Sequence, residues 1–281
     1  MSIFKTKTVK GGKNTDIDVE ERFYLNQLPD AMEKMGWEMA PKLMRHWFNS
    51  KPAYSFTEKT KDLYTRTGNS VDIPKEQVND SIVKMAWAIN YIQVRERVEE
   101  LHYMWDSPNG IQLLRKKLSM SKDKRIGYTD SAIELDTYAQ VNSRLIGSMQ
   151  DTIDDYYGAI GKANIKLAVR GYVEKRNYKD VFITELVGVY LKDSYDFITK
   201  GEFLGVWHKN GVLSKAKTLA YMGIYERMGW RELSGEYSGT VPIFNGDFKM
   251  WQEKRNEGSD FIVFSDVLWM KPLPKHSIFH L

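Results

Sequence analysis

A long stretch of two-residue periodicity, running from Ile165 to Leu191, limits what this chain can fold into more than any other feature. Ile165, Leu167, Val169, Gly171 and Val173 alternate with Asn164, Lys166, Ala168, Arg170 and Tyr172, as a strand with one buried face requires. Arg176-Asn177-Tyr178-Lys179-Asp180 supplies turn residues. A second alternating run then places Val181, Ile183, Glu185, Val187, Val189 and Leu191 on one side. Two such runs predict a long hairpin, and a hairpin alone is marginal, so further strands must join it. Residues 203–207 and 260–264 are the candidates, with one helical interruption around 215–222. The expected result is an antiparallel sheet, curved or partly closed.

Ahead of residue 157 the period is different. Ile82, Val83, Met85, Ala86, Ile89, Ile92, Val98 and Leu101 recur three and four apart, which predicts one amphipathic helix over 82–101 capped by Asp80 or Ser81. Helices are also expected around 31–35, 41–48, 111–118 and 131–156, with breaks at Pro29-Asp30 and Pro108-Asn109-Gly110. The chain therefore reads as α+β: a mainly helical region over 1–156 and a β-rich domain over 157–281.

With 281 residues, 42% of them hydrophobic, there is enough apolar surface for a real core. Lys and Arg number 41 against 37 Asp and Glu, so total charge gives no reason to expect nucleic acid as a partner. Two local basic clusters stand out, Lys5, Lys7, Lys10 and Lys13 at the start and Arg115, Lys116, Lys117, Lys122, Lys124 and Arg125 further on. They read as a free end and a solvated helix face, or as contacts for phosphate or anionic lipid. No cysteine occurs, which removes disulfides and thiolate chemistry. The apolar window at 85–94 is about half a bilayer span and contains Asn90 and Gln93, so no transmembrane segment is expected. The first residues lack the apolar run of a secretory signal peptide.

Chemistry points to the end of the second strand. There Val189-Tyr190-Leu191-Lys192-Asp193-Ser194-Tyr195-Asp196-Phe197 closes on two carboxylates bracketing a phenol. On an extended backbone Asp193 and Tyr195 share one side, and a turn would bring Asp196 to them. Two carboxylates suit Mg²⁺, a hard cation that takes oxygen ligands. The plainer reading is a polar strand-to-loop junction with Tyr195 packed. His208, next to a turn at Lys209-Asn210-Gly211, is a candidate general base or a surface residue. His276 and His280 have a metal-ligand spacing only on a helix, which Pro272 and Pro274 oppose. Asp151, Asp154 and Asp155 read as an acidic solvated helix side. No Gly-x-Gly-x-x-Gly, phosphate loop or Gly-x-Ser-x-Gly elbow is present, which lowers nucleotide enzymes and serine hydrolases.

Residues 159–167, Ala-Ile-Gly-Lys-Ala-Asn-Ile-Lys-Leu, followed by Asp193-Ser-Tyr-Asp-Phe197, resemble the activity domain of colicin M and related bacteriocins. The resemblance implies cleavage of lipid II, the lipid-linked peptidoglycan precursor, between lipid and pyrophosphate, with Mg²⁺ required. By that resemblance Asp193, Tyr195 and Asp196 take the motif positions, with Asp193 and Asp196 toward the metal. The family's His-Arg pair does not follow; its positions hold Glu202 and Phe203, and His208 is the nearest substitute. The blocks at 189–197, 203–207 and 258–267 are also similar to an uncharacterised bacterial family frequent near type VI secretion genes.

These readings lead to one expectation: an antibacterial effector made in the bacterial cytoplasm, exported without a Sec signal and acting in the target periplasm. Its helical region would serve delivery or docking, and an immunity protein and a type VI secretion component would be partners. The alternative is a non-enzymatic binding or secretion-accessory protein on a degenerate scaffold of the same kind. Membrane disruption by the 82–101 helix is disfavoured by Lys84, Arg95, Arg97, Glu99 and Glu100.

Overall fold

The computed structural model describes residues 3–11, 15–148 and 150–281; side chains are described from residue 23 on, save at positions 230 and 231. The side chains of Lys5, Lys7, Lys10 and Lys13 therefore lie outside the described residues. The protein is α+β. Its chain folds into two compact units that interleave in sequence: Met1–Ser55, Thr152–Ala159 and Asp196–Asp260 form one, and Phe56–Asp151, Ile160–Tyr195 and Phe261–Leu281 form the other.

The second unit is built on the predicted hairpin. Strands Ala163–Arg176 and Lys179–Tyr195 pair antiparallel from Asn164↔Lys192 to Arg176↔Lys179. The turn is only Asn177-Tyr178, both at positive φ (48° and 62°), the backbone a two-residue hairpin loop needs. Three short strands share the other edge of Lys179–Tyr195 in succession: Phe261–Phe264, Leu268–Met270 and Ile278–His280. Strands Gln140–Ile146 and Arg125–Ile126 line the far edge of Ala163–Arg176, and Val78–Asn79 adds to Phe261–Phe264 in parallel. The product is an eight-stranded mixed sheet, curled into a half-barrel.

A bulge helps the sheet curl. Pairing slips between Arg170↔Leu186 and Gly171↔Thr184, leaving Glu185 unmatched. Gly171 sits at the slip because a Cβ there would lie 2.1 Å from the Ile183 carbonyl oxygen. Beyond the bulge, Val187 through Lys192 are all buried, so both faces of this stretch are covered.

Two helical expectations fail in this unit. The 82–101 pattern is split into Met85–Ala88 and Ile92–Met104, and 131–156 holds only the helix Ala132–Tyr138 before the chain enters the strand Gln140–Ile146. Val141 and Leu145, four apart, fit one face of a strand as well as a helix stripe, and pairing with Ala163–Arg176 decides the matter. The break expected at Pro108-Asn109-Gly110 falls just before it, and Pro108 opens the helix Pro108–Met120 behind a Ser107 cap.

The first unit carries the hairpin Ile3–Gly11 with Thr15–Phe23, a three-stranded sheet of Val241–Phe244, Phe203–His208 and Gly211–Val212, and helices including Leu28–Lys34, Met39–Asn49, Lys215–Glu226 and Asn245–Arg255. That first hairpin lies in a stretch read as a free basic end. The core of the unit is aromatic: Phe197 stacks on Phe248 with centroids 3.7 Å apart, and Trp47 meets both edge-on at 5.0 and 5.3 Å.

Asp155 corrects the reading of 151–155 as a solvated acidic side. It is buried, and its carboxylate accepts backbone N–H bonds from Glu38, Met39 and Ala40 at 2.8–3.0 Å. It thereby satisfies donors that the first turn of Met39–Asn49 leaves without partners.

Candidate functional site

Asp193 and Tyr195 belong to the second unit and occupy the last pairs of the long strand, opposite Val263 and Phe261. Both are partly buried, and strand alternation puts them on one side, as the spacing required. The Tyr195 ring stacks on Phe261, with centroids 5.2 Å apart and planes inclined by 19°. Burial pushes its phenol well above the usual tyrosine range, so it remains a proton donor at any physiological pH.

Asp196 and His208 belong to the first unit. Asp196 Oδ1 accepts from the Ile198 N–H at 3.4 Å, shaping the turn that follows the strand. The next residue, Phe197, is the aromatic core member described above. His208 ends the strand Phe203–His208, and its Nδ1 accepts from the Asn210 N–H at 3.2 Å. That bond places the ring proton on Nε2, so the nitrogen left over is a donor. Burial, reinforced by Lys217, lowers the imidazole from its usual value and keeps it neutral at pH 7.

Asp193 and Asp196 carry oxygen atoms, the donor type Mg²⁺ prefers; both residues are partly buried, and Asp196 Oδ2 is itself closed off from solvent. Among the described residues no three His, Asp or Glu side chains converge. Neither His276 nor His280 lies on an α-helix: His276 is buried 5.4 Å from the Trp105 ring with Nε2 3.2 Å from Asp106, and His280 pairs with Val181.

The most concentrated polar cluster of the second unit lies one residue earlier in the same run and on the opposite side of the strand. Asp136, on the helix Ala132–Tyr138, accepts four hydrogen bonds. Lys166 and Tyr190 reach Oδ1 at 2.7 and 2.8 Å, while Lys192 and Ser70 reach Oδ2 at 2.8 and 2.6 Å. Lys192 also donates to Ser70 Oγ at 2.8 Å. Burial alone would raise the Asp136 carboxyl, but Lys166 and Lys192 outweigh it and hold it far below the carboxylate range. Burial, then Asp136, sends the Tyr190 phenol well up, and burial pulls the Lys192 ammonium down against the pull of Asp136.

Ser70, Tyr190 and Lys192 are each at most 2% exposed. A lysine beside a serine resembles a nucleophile and its base, but here both are buried against Asp136. The cluster is a buried electrostatic clasp that joins the hairpin, the Ala132–Tyr138 helix and the Ser70–Asp72 turn.

Sequence reasoning missed the clasp, although a signal existed. Lys166 and Tyr190 are direct cross-strand partners, and polar side chains repeated at period two on the buried face of a hairpin require a buried counter-charge. What the sequence did not show is that Asp136 supplies it from 30 residues away.

The larger of two cavities described in this unit, about 430 Å³, touches neither the strand-end carboxylates nor the clasp. Lys117, Arg125, Tyr128, Glu134 and Tyr138 are among its walls, and the Arg125 guanidinium lies 4.2 Å above the Tyr128 ring.

No curated protein and no solved structure matches the chain. A family of unknown function, DUF6402, matches residues 23–279, and with all but the two ends of the sequence covered the chain belongs to that family.

Proposed function

We propose that this protein is an antibacterial effector whose β-rich part acts on lipid II, hydrolysing it between lipid and pyrophosphate. The observation that supports this is the placement of Asp193-x-Tyr195-Asp196 at the end of the longest strand of a curled half-barrel, the fold and position that the likeness to colicin M implies. Asp193 and Asp196 would hold Mg²⁺, which when bound offsets charge on the leaving pyrophosphate. Tyr195, kept protonated by its surroundings, would donate to a phosphate oxygen and orient it. His208, neutral and carrying its proton on Nε2, would donate as well. Export without a Sec signal, action in the target periplasm, an immunity protein and a type VI secretion component belong to the same proposal.

Purified protein incubated with lipid II and Mg²⁺, beside Asp196→Ala, tests it: released pyrophosphoryl-linked product from the wild type alone is the expected result. No product from either at high enzyme concentration rejects the activity.

One observation favours a second reading, a non-enzymatic binding or secretion-accessory protein. His208, the nearest substitute for the missing His-Arg pair, spends Nδ1 on its own turn. A positioned acid or base contributes about a hundredfold or more in rate, so a chain without one loses most of the activity. Expression with and without a periplasm-directing signal separates the two readings, since only the effector should lyse cells, and only from the periplasm.

A further inference from the structure

Tyr178 occupies the tip of the long hairpin at 103% exposure, with φ of 62°, and touches no other ring or polar group among the described residues. A side chain in this left-handed conformation is disfavoured where glycine fits freely. Nothing inside the fold accounts for a tyrosine there, which points to a contact outside it.

The surroundings say what kind. Lys175, Arg176 and Lys179 flank the tip and are exposed. Pairing of Arg125 with Tyr172, and the bond from Val173 N–H to the Lys124 carbonyl at 3.0 Å, bring the end of the basic segment 115–125 alongside the same hairpin a few residues short of its tip. A cavity of about 160 Å³ shared by Arg115, Lys124, Val173 and Asp180 joins the two. Segments 115–125 and 174–180 together hold nine Lys and Arg against three Asp and Glu, while the whole chain has 41 against 37. The rest of the protein is thus slightly acidic, and its positive charge is gathered here. Met120, 62% exposed, adds an apolar tip to the same helix end. Among the described residues Arg115, Lys116, Lys122, Lys124, Lys175 and Lys179 form no ion pair, so their charge is available to a partner.

We propose that this end of the second unit is a docking surface for an anionic phospholipid bilayer, with Tyr178 and Met120 entering the headgroup layer and the surrounding cations meeting lipid phosphates. A projecting ribbon tip with an amphipathic ring fits a planar interface, where tyrosine prefers to sit. The inference stands apart from the lipid II reading and is tested without lipid II.

Co-sedimentation of the full chain with phosphatidylcholine vesicles, and with vesicles containing about a third phosphatidylglycerol, is the experiment. Binding to the anionic vesicles only, weakened by salt, is expected. Each unit of positive charge lost should lower partitioning about fivefold, so Lys175→Glu with Lys179→Glu, which removes two positive charges and adds two negative ones, should lower it at least a hundredfold. Tyr178→Gly should also reduce binding while leaving thermal stability unchanged or raised, because glycine suits the turn. Equal binding to neutral vesicles, no binding to either, indifference to these substitutions, or tighter binding to an RNA oligonucleotide than to anionic vesicles would each overturn the proposal.

Discussion

The run from Val189 to Phe197 holds two polar regions that meet at one peptide bond and behave in opposite ways. Tyr190 and Lys192 are sealed against Asp136 with every carboxylate lone pair engaged; Asp193 and Tyr195, on the other side of the strand, are only partly buried. The contrast teaches that a polar side chain in a strand takes its role from the face it points to. Buried and paired, it orders the fold; near an edge and only partly covered, it keeps solvent within reach.

The strongest way to break this comparison is Asp136→Ala. It leaves Lys192 buried without its counter-charge and should cost about 3–5 kcal/mol in urea denaturation. Asp136→Leu combined with Lys192→Met should recover much of that loss, because an apolar pair carries no desolvation penalty. A loss below about 1 kcal/mol for Asp136→Ala would mean that the clasp is not sealed.

Acid sharpens the same point. The folded Asp136 carboxyl lies below its unfolded value of about 3.9, so the clasp contributes fully above that pH and its contribution fades as pH falls toward the folded value. Urea midpoints should fall steeply below about pH 4 in the wild type and more gently in Asp136→Asn.

Tyr190→Phe removes one of four bonds to the carboxylate and should cost about 1–1.5 kcal/mol by the same measurement, with the clasp's ion pairs intact. Smallest of all, Asp193→Asn should change stability by less than about 1 kcal/mol while abolishing lipid II cleavage. If Asp193→Asn instead destabilises as much as Asp136→Ala, the strand end is structural too and the binding-protein reading is preferred.

The hairpin, its turn and the change from helix to strand were legible because alternation at period two is a local consequence of the backbone. The strand Gln140–Ile146 was not, since its apolar residues satisfy either period and only pairing with Ala163–Arg176 selects one. The sharing of one long strand by three short C-terminal strands was equally hidden, as each is only three or four residues long.

The same division runs through the site. By itself the sequence determined that Asp193 and Tyr195 share a side of their strand, that Lys192 and Tyr190 share the other, and that no thiol chemistry is available. Tertiary structure alone decided which side was buried, that Asp136 would neutralise it, and that Asp155 would cap a helix begun 116 residues earlier instead of facing water. The physical reason is range: side-chain direction follows from neighbouring bonds, whereas the partner that makes burial of a charge tolerable comes from wherever the chain happens to return.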